Sequence, residues 1–404
     1  MKDSKISYRW YVVAACFATT FTLGEALWSF GVFFKPLQTE FGWSRALVSS
    51  AYTAFIFGFA ISTVISGRLA DRYSPRPILF VSALLAGIGV SLCSQVGGIH
   101  ELRFFLFVGG LGAGATLSVP PSVVLRWFYG KQHAALAVGI VMAGVGFGAL
   151  FFTPLINYLV LSYGWRTAYL ITGLLFMVII VLSSIVIRQA PPRDRIKPKS
   201  GEDTKLSEAY DGFTTSKIIR NPAFLGITFI NCSVLIAFQT ISVHIVPYAT
   251  DSGLSASAAA LALGLFGGFS VPGRIISGFI ADRIGWKKVL TTCLFGMGIF
   301  VLWLFFIKAT WVLFCFVFFY GICHGGRISS HIGILGEFFG LKSLGEIIGI
   351  TSAVGQVFGA IAPYFAGFIF DVTGSYMAAL IIVMIILLIS GVIALIIRNP
   401  LTVE

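Results

Sequence analysis

The sequence predicts an all-α membrane protein of twelve transmembrane helices in two pseudo-symmetric bundles of six, and three observations carry the prediction. Hydrophobic residues make up 57% of the 404 and charged ones 11%, whereas a soluble domain carries about a quarter of its residues as charges. Apolar stretches long enough to cross a hydrocarbon core of about 30 Å recur along nearly the whole chain. A segment near the start of the chain also reappears 211 residues later, at 253–288 for 42–77.

The apolar runs place spans at 10–34, 45–66, 77–97, 102–124, 134–158 and 165–187, then at 223–248, 257–280, 288–307, 310–333, 345–368 and 376–397. The runs never stop, which excludes a lone signal peptide. Cys16, Cys93, Cys232, Cys293, Cys315 and Cys323 all fall inside them without CxxC spacing, which argues for small packing residues and against metal ligation or a disulfide framework. Glycine and proline serve such helices as close contacts and bends. The double proline of SVPPSVV is a bend in the fourth span.

Twelve crossings put both termini on one side. That side carries 21 Lys and Arg against 5 on the other, so the termini are expected in the cytoplasm. The net charge of +12 is therefore a topology signal and no evidence for nucleic acid. The one long polar stretch, within 188–222, reads as a cytoplasmic linker, with room for a short surface helix, between bundles at 1–187 and 223–404.

The repeat supports that division. GWSRALVSSAYTAFIFGFAISTVISGRLADRYSPRP from Gly42 lies without a gap over GLSASAAALALGLFGGFSVPGRIISGFIADRIGWKK from Gly253, and RWFYGKQ from Arg126 lies over EFFGLKS from Glu337. Parallel repeats of this kind can rock against each other about an axis along the membrane normal. In SGRLADR and SGFIADR, the candidates for cytoplasmic gating are Gly67, Asp71 and Arg72 with their counterparts Gly278, Asp282 and Arg283. Glycine lets helix ends approach, and aspartate accepts from a helix N-terminus or an arginine to hold a closed face that must reopen.

GRLADR with its second copy GFIADR resembles the loop signature of the major facilitator superfamily, over essentially the whole chain. WSFGVFFKPLQTEFGWSR, RWFYGKQHAALAVGIVMAGVGFG and GWRTAYL further resemble the monocarboxylate transporter and oxalate:formate antiporter branch. The resemblance implies transport of small carboxylates such as lactate, pyruvate or formate, with a proton in many members, and an eighth-helix arginine that pairs with the carboxylate. Arg274 of VPGRIISG matches that arginine. The aspartate that animal carriers place four residues earlier is Ser270 here, and the branch's lysines near Trp28 and near Gly355 and Gln356 are absent. Proton coupling through the usual acid is therefore not implied, and monoanion transport is favoured over dianion exchange.

A census of charge within the spans leaves Glu25, Arg274 and Arg327. Each is costly in hydrocarbon, by about 2.5 to 3.5 kcal/mol or more, and should face a cavity or a partner. Arg274 can clamp a carboxylate bidentately while staying charged; the alternative is a salt bridge to Glu25 or another structural partner. His324, Arg327 and His331 are spaced i, i+3 and i+7 along one helix face. They either line the cytoplasmic half of the pathway, with His324 open to titration, or tie helices together. His244 reads as an interfacial residue. Glu25 is a candidate proton carrier if it gains and loses an arginine partner during the cycle, and a permanent structural anion otherwise. Trp28, Tyr52, Thr116, Ser118 and Ser270 complete the expected substrate cavity.

The expected function is secondary transport of a small monocarboxylate with a proton, by a monomer with no cofactor and no metal, in a prokaryotic cytoplasmic membrane. The rivals are carboxylate exchange, transport of another organic anion, or a non-transporting receptor. An enzyme is not expected, because the histidines of the tenth span have no nucleophile or metal-ligand cluster beside them.

Overall fold

The computed structural model describes residues 3–128, 134–189, 215–339 and 344–400. Helices dominate because no water in a bilayer core satisfies backbone groups, so each N–H and C=O must be bonded within its own segment. In chain order they are α1 (Asp3–Trp28, continued after Ser29 by Phe30–Phe41), α2 (Arg45–Arg72), α3 (Pro75–Leu92) and α4 (Ile99–Phe128). Helices α5 and α6 are the two arms of Ala134–Val186. The second half holds α7 (Pro222–Asp251), α8 (Ala256–Ile284), α9 (Trp286–Val301), α10 (Thr310–Phe339), α11 (Leu344–Thr373) and α12 (Met377–Ile396).

Gly164, at φ 81° and ψ 161°, divides Ala134–Val186 into α5 and α6. A side chain at that φ would be strained. The eleven continuous apolar helices thereby become twelve crossings. Helices overrun the apolar runs at many ends, as at Phe41 and Phe339, because charged residues are tolerated once the chain reaches the interface. The first span breaks at Ser29, where Val32 N–H donates to Ser29 O at 3.0 Å in an i to i+3 bond. Pro36 adds to the bend by removing the N–H that would reach the Val32 carbonyl.

The repeat extends to local geometry. Gly42 and Gly253 both hold positive φ, 64° and 90°, and two residues later Ser44 and Ser255 cap α2 and α8 by accepting from Leu47 N and Ala258 N. Gly110 of α4 lies so close to α2 that a Cβ would meet Phe55 O at 2.1 Å; its counterpart Gly321 of α10 approaches Phe266 O of α8 in the same way.

One apolar core draws on residues 12–187, with Val243, Ala260 and Ala360 added, and the other on residues 218–397, with Trp28 and Ala149 added. Most of the expected linker, 188–222, lies outside the described residues; its described part includes the short helix Thr215–Ile219. The ends of RWFYGKQ and EFFGLKS also lie outside them.

Candidate functional site

The two halves meet most tightly on the membrane face away from the termini. Lys35 and Arg45 of the first half share the Asp251 carboxylate at the end of α7, with Lys35 Nζ at 2.6 Å. Arg45 also donates to Tyr376 Oη at 2.7 Å and lies 3.6 Å over the Phe370 ring. Asp371 accepts from Arg45 N and Ala46 N, both at 2.9 Å, and so caps α2 from the end of α11. Deeper in, Thr53 donates to Ala360 O at 2.6 Å and Tyr52 to Gln239 Oε1 at 2.7 Å. His244 is buried, not interfacial as its sequence position suggested: it contacts Tyr376 Oη at 2.9 Å and Pro363 O at 2.8 Å.

Arg274 is the last cross-half contact in this series, just past the middle of α8. Its Nη1 donates to Met142 O of α5 at 3.3 Å, and its Nε is buried without a partner. Among the described residues no carboxylate pairs with it, so the salt bridge to Glu25 is not formed. Beyond it toward the terminal face, Ile275 and Phe279 are 70% and 61% exposed and Gly278 has nothing within 4 Å of a Cβ position. No hydrogen bond between described residues joins the halves there. Arg274 thus sits where the halves part, with most of its five donors uncommitted.

The α10 residues are all buried along one face, as their spacing requires. Arg327 Nη2 donates to Asn231 Oδ1 of α7 at 2.5 Å while its Nε has no partner. His331 Nε2 lies 3.2 Å from Thr351 Oγ1. His324 stacks on Phe238 at 5.0 Å between ring centres, with Nδ1 unpartnered. Trp28 crosses from the first half to pack edge-on against Phe238 and Phe266, at 4.9 and 4.5 Å, with His324 at 6.4 Å. Trp28, His324 and Arg274 therefore belong to the neighbourhood where α1, α5, α7, α8 and α10 converge.

Other candidates lie apart from that neighbourhood or are already bonded. Glu25 is 6% exposed and shares a cavity lined by first-half residues only, among them Ser29, Tyr52 and Tyr169. Thr116 is fully buried and donates to Ala113 O at 2.7 Å, Ser118 bonds Ser66 on α2 at 2.9 Å, and Ser270 donates to Gly267 O at 2.7 Å. Gly67 and Gly278 occupy equivalent points near the ends of α2 and α8; Gly67 has only Ser118 Cβ at 3.7 Å of a Cβ position. Arg283 folds over Phe279 at 4.4 Å, and the side chains of Asp71, Arg72 and Asp282 lie outside the described set.

With twelve helices, a repeat of 211 residues and a half-to-half interface in place, the sequence model of the Major Facilitator Superfamily matches residues 13–316 and 245–403. The chain belongs to the Major Facilitator Superfamily. It is a multi-pass membrane transporter and not an enzyme. This major facilitator is 27% identical over 382 residues to monocarboxylate transporter 13 of Rattus norvegicus, spanning 92% of this chain and 85% of that one. It is 23% identical over 397 residues to YcxA, an uncharacterized MFS-type transporter of Bacillus subtilis (strain 168), spanning 96% and 95%. The oxalate:formate antiporter of Oxalobacter formigenes matches at 26% over 298 residues, 74% of this chain and 69% of that one. The fold of this chain superposes with TM-score 0.74 and 16% identity on a bacterial homolog of the human lysosomal transporter Spinster in an inward-facing, occupied conformation, covering 96% of each chain.

Sequence reasoning passed over the polar residues that join the halves of this major facilitator, Lys35, Arg45, Asp251, Asp371 and Gln239, and also Asn231, which bonds Arg327 within the second half. One signal was present. Glu40 and Asp251 are 211 residues apart, an acid in the last turn of α1 and of α7. Glu40 bonds Arg166 and Trp165 within its own half, whereas Asp251 reaches across.

Proposed function

We propose that this major facilitator moves a small monocarboxylate of the lactate or pyruvate type together with a proton, as a monomer in a prokaryotic cytoplasmic membrane, with both termini cytoplasmic. The halves 1–187 and 223–404 rock about Arg274, and the described arrangement, joined away from the termini, corresponds to the cytoplasm-facing state. The observation that carries the reading is the Arg274 guanidinium. It lies where the halves part, bonded to one backbone carbonyl at 3.3 Å and to no carboxylate among the described residues. An uncompensated cation inside a membrane calls for an anion, and a planar guanidinium accepts a planar carboxylate through two parallel bonds. Trp28 and Phe238, packed edge-on at 4.9 Å where α1 meets α7, offer an apolar wall for a short carbon chain. Glu25 is the acid assigned to the proton, and Gly67, Asp71 and Arg72 with Gly278, Asp282 and Arg283 close the cytoplasmic face in the alternate state.

Exchange of one carboxylate for another is a second reading, favoured by Arg327, whose Nε is also unpartnered. The test uses purified protein in liposomes with an internal pH dye, given lactate or pyruvate with and without a pH gradient beside Arg274→Ala. Internal acidification beyond passive leak, absent in the variant, supports symport. Flux only after preloading with unlabelled anion supports exchange, and no flux of either acid refutes the monocarboxylate assignment.

A further inference from the structure

Beside the break in α1, three residues of one cavity carry buried polar atoms with nothing to bond. Glu25 Oε2 and the hydroxyls of Ser29 and Tyr169 have no hydrogen-bond partner. Their residues are 6%, 1% and 3% exposed. All three line one cavity of about 30 Å³, enough for an occupant the size of a water molecule. Tyr169 is held in place by Phe33, stacked at 3.8 Å between ring centres.

No Lys, Arg or His lines the cavity; besides Glu25 its titratable members are Tyr52 and Tyr169. Cys93 is within electrostatic reach of Glu25, but its thiol is committed to Gly89 O at 3.4 Å. A carboxyl group so placed is neutralised either by taking up a proton or by a cation beside it, because an unpaired buried charge is far more costly than a paired or neutral group.

We propose that this cavity binds one monovalent cation, either a proton taken up on the Glu25 carboxylate or Na+ held by that carboxylate, with the Ser29 and Tyr169 hydroxyl oxygens as its further partners. Charge sets the valence: one carboxylate neutralises one positive charge, and a divalent ion would leave the excess in hydrocarbon. Ligand chemistry sets the class, since the polar side chains here offer oxygen alone, which suits hard cations.

The inference rests on the cation-coupled part of the proposed function and adds where the cation sits and how its presence is felt. The cavity is lined by first-half residues only, so the cation and the anion at Arg274 occupy separate sites. Tyr52 links them, because it lines the cavity and its hydroxyl donates across the halves to Gln239 Oε1 at 2.7 Å. A cation that repositions Tyr52 alters the contact holding the halves together.

The test needs no carboxylate substrate, so its outcome is independent of the monocarboxylate assignment. Purified protein in detergent is assayed for saturable binding of radioactive sodium at fixed pH. In sodium-free buffer, infrared difference spectra between acid and alkaline conditions look for a protonated carboxyl band. One of the two signals is expected in the native protein, the sodium signal identifying Na+ and the carboxyl signal a proton. It should vanish in Glu25→Gln and shift about tenfold in midpoint concentration in Ser29→Ala and Tyr169→Phe, each of which removes one ligand oxygen. Neither signal in the native protein, or a signal undiminished in Glu25→Gln, overturns the site. If Glu25→Gln does not fold, native midpoints in both hydroxyl variants overturn it instead.

Discussion

Replacing Asp251 by asparagine should loosen the closed face of the transporter by an amount the geometry lets one work out. The carboxylate serves two cations. Its contact with Lys35 joins side chains 36% and 31% exposed, and such pairs contribute about 0.2–1 kcal/mol. The contact with Arg45 involves a side chain only 6% exposed, and hydrogen bonds to charged groups contribute about 1.5–3 kcal/mol. Asparagine keeps one acceptor, and Arg45 keeps Tyr376 and the Phe370 ring, so the lower ends apply. The total of about 1.7 kcal/mol corresponds to about a 20-fold shift in the ratio of closed to open states at that face. Spin labels at His100→Cys and Lys308→Cys, exposed positions at that face on opposite halves, report the ratio in a cysteine-free background. A larger population of long distances in Asp251→Asn is expected. A ratio changed by less than about threefold, with the protein folded, would show that the cluster does not hold the halves together.

Arg274→Lys keeps the charge but loses the two-pronged geometry, so carboxylate binding measured with radiolabelled pyruvate should weaken about tenfold. Arg274→Ala should weaken it about 100-fold, the scale of about 3 kcal/mol for charge-assisted bonds. At Gly325 a Cβ would lie 2.0 Å from Ser270 O, so Gly325→Ala should force α8 and α10 apart and lower the thermal midpoint in detergent, at a cost of about 1–3 kcal/mol. Gly278→Ala meets nothing within 4 Å and should leave the midpoint within the effect of about 0.5 kcal/mol usual for surface changes.

The fold was legible because hydrophobic length is a one-dimensional property. Spans, the offset of 211 and the starts of α2 and α8 follow from reading along the chain. Arg274 stood out for the same reason, as a charge in an apolar run. Rotation about each helix axis was not legible. Glu25 and Arg274 share a membrane interior and suggested a pair, yet Glu25 turns inward among first-half helices and Arg274 turns toward α5. Ser29 carries no breaker signature of its own; the proline that contributes to the bend is seven residues on. Lys35, Arg45 and Asp251 read as ordinary loop charges, because their meaning depends on which half each faces.

The near-duplication of the halves has one exception with mechanical weight. Glu40 and Asp251 occupy the same place in the repeat, but one clasps its own bundle and the other clasps the opposite one. A machine whose two arms were identical would have no intrinsic preference for either pose. A latch on one arm alone makes the two poses unequal in energy before any substrate arrives, so the empty carrier has a resting position and its return stroke a built-in bias.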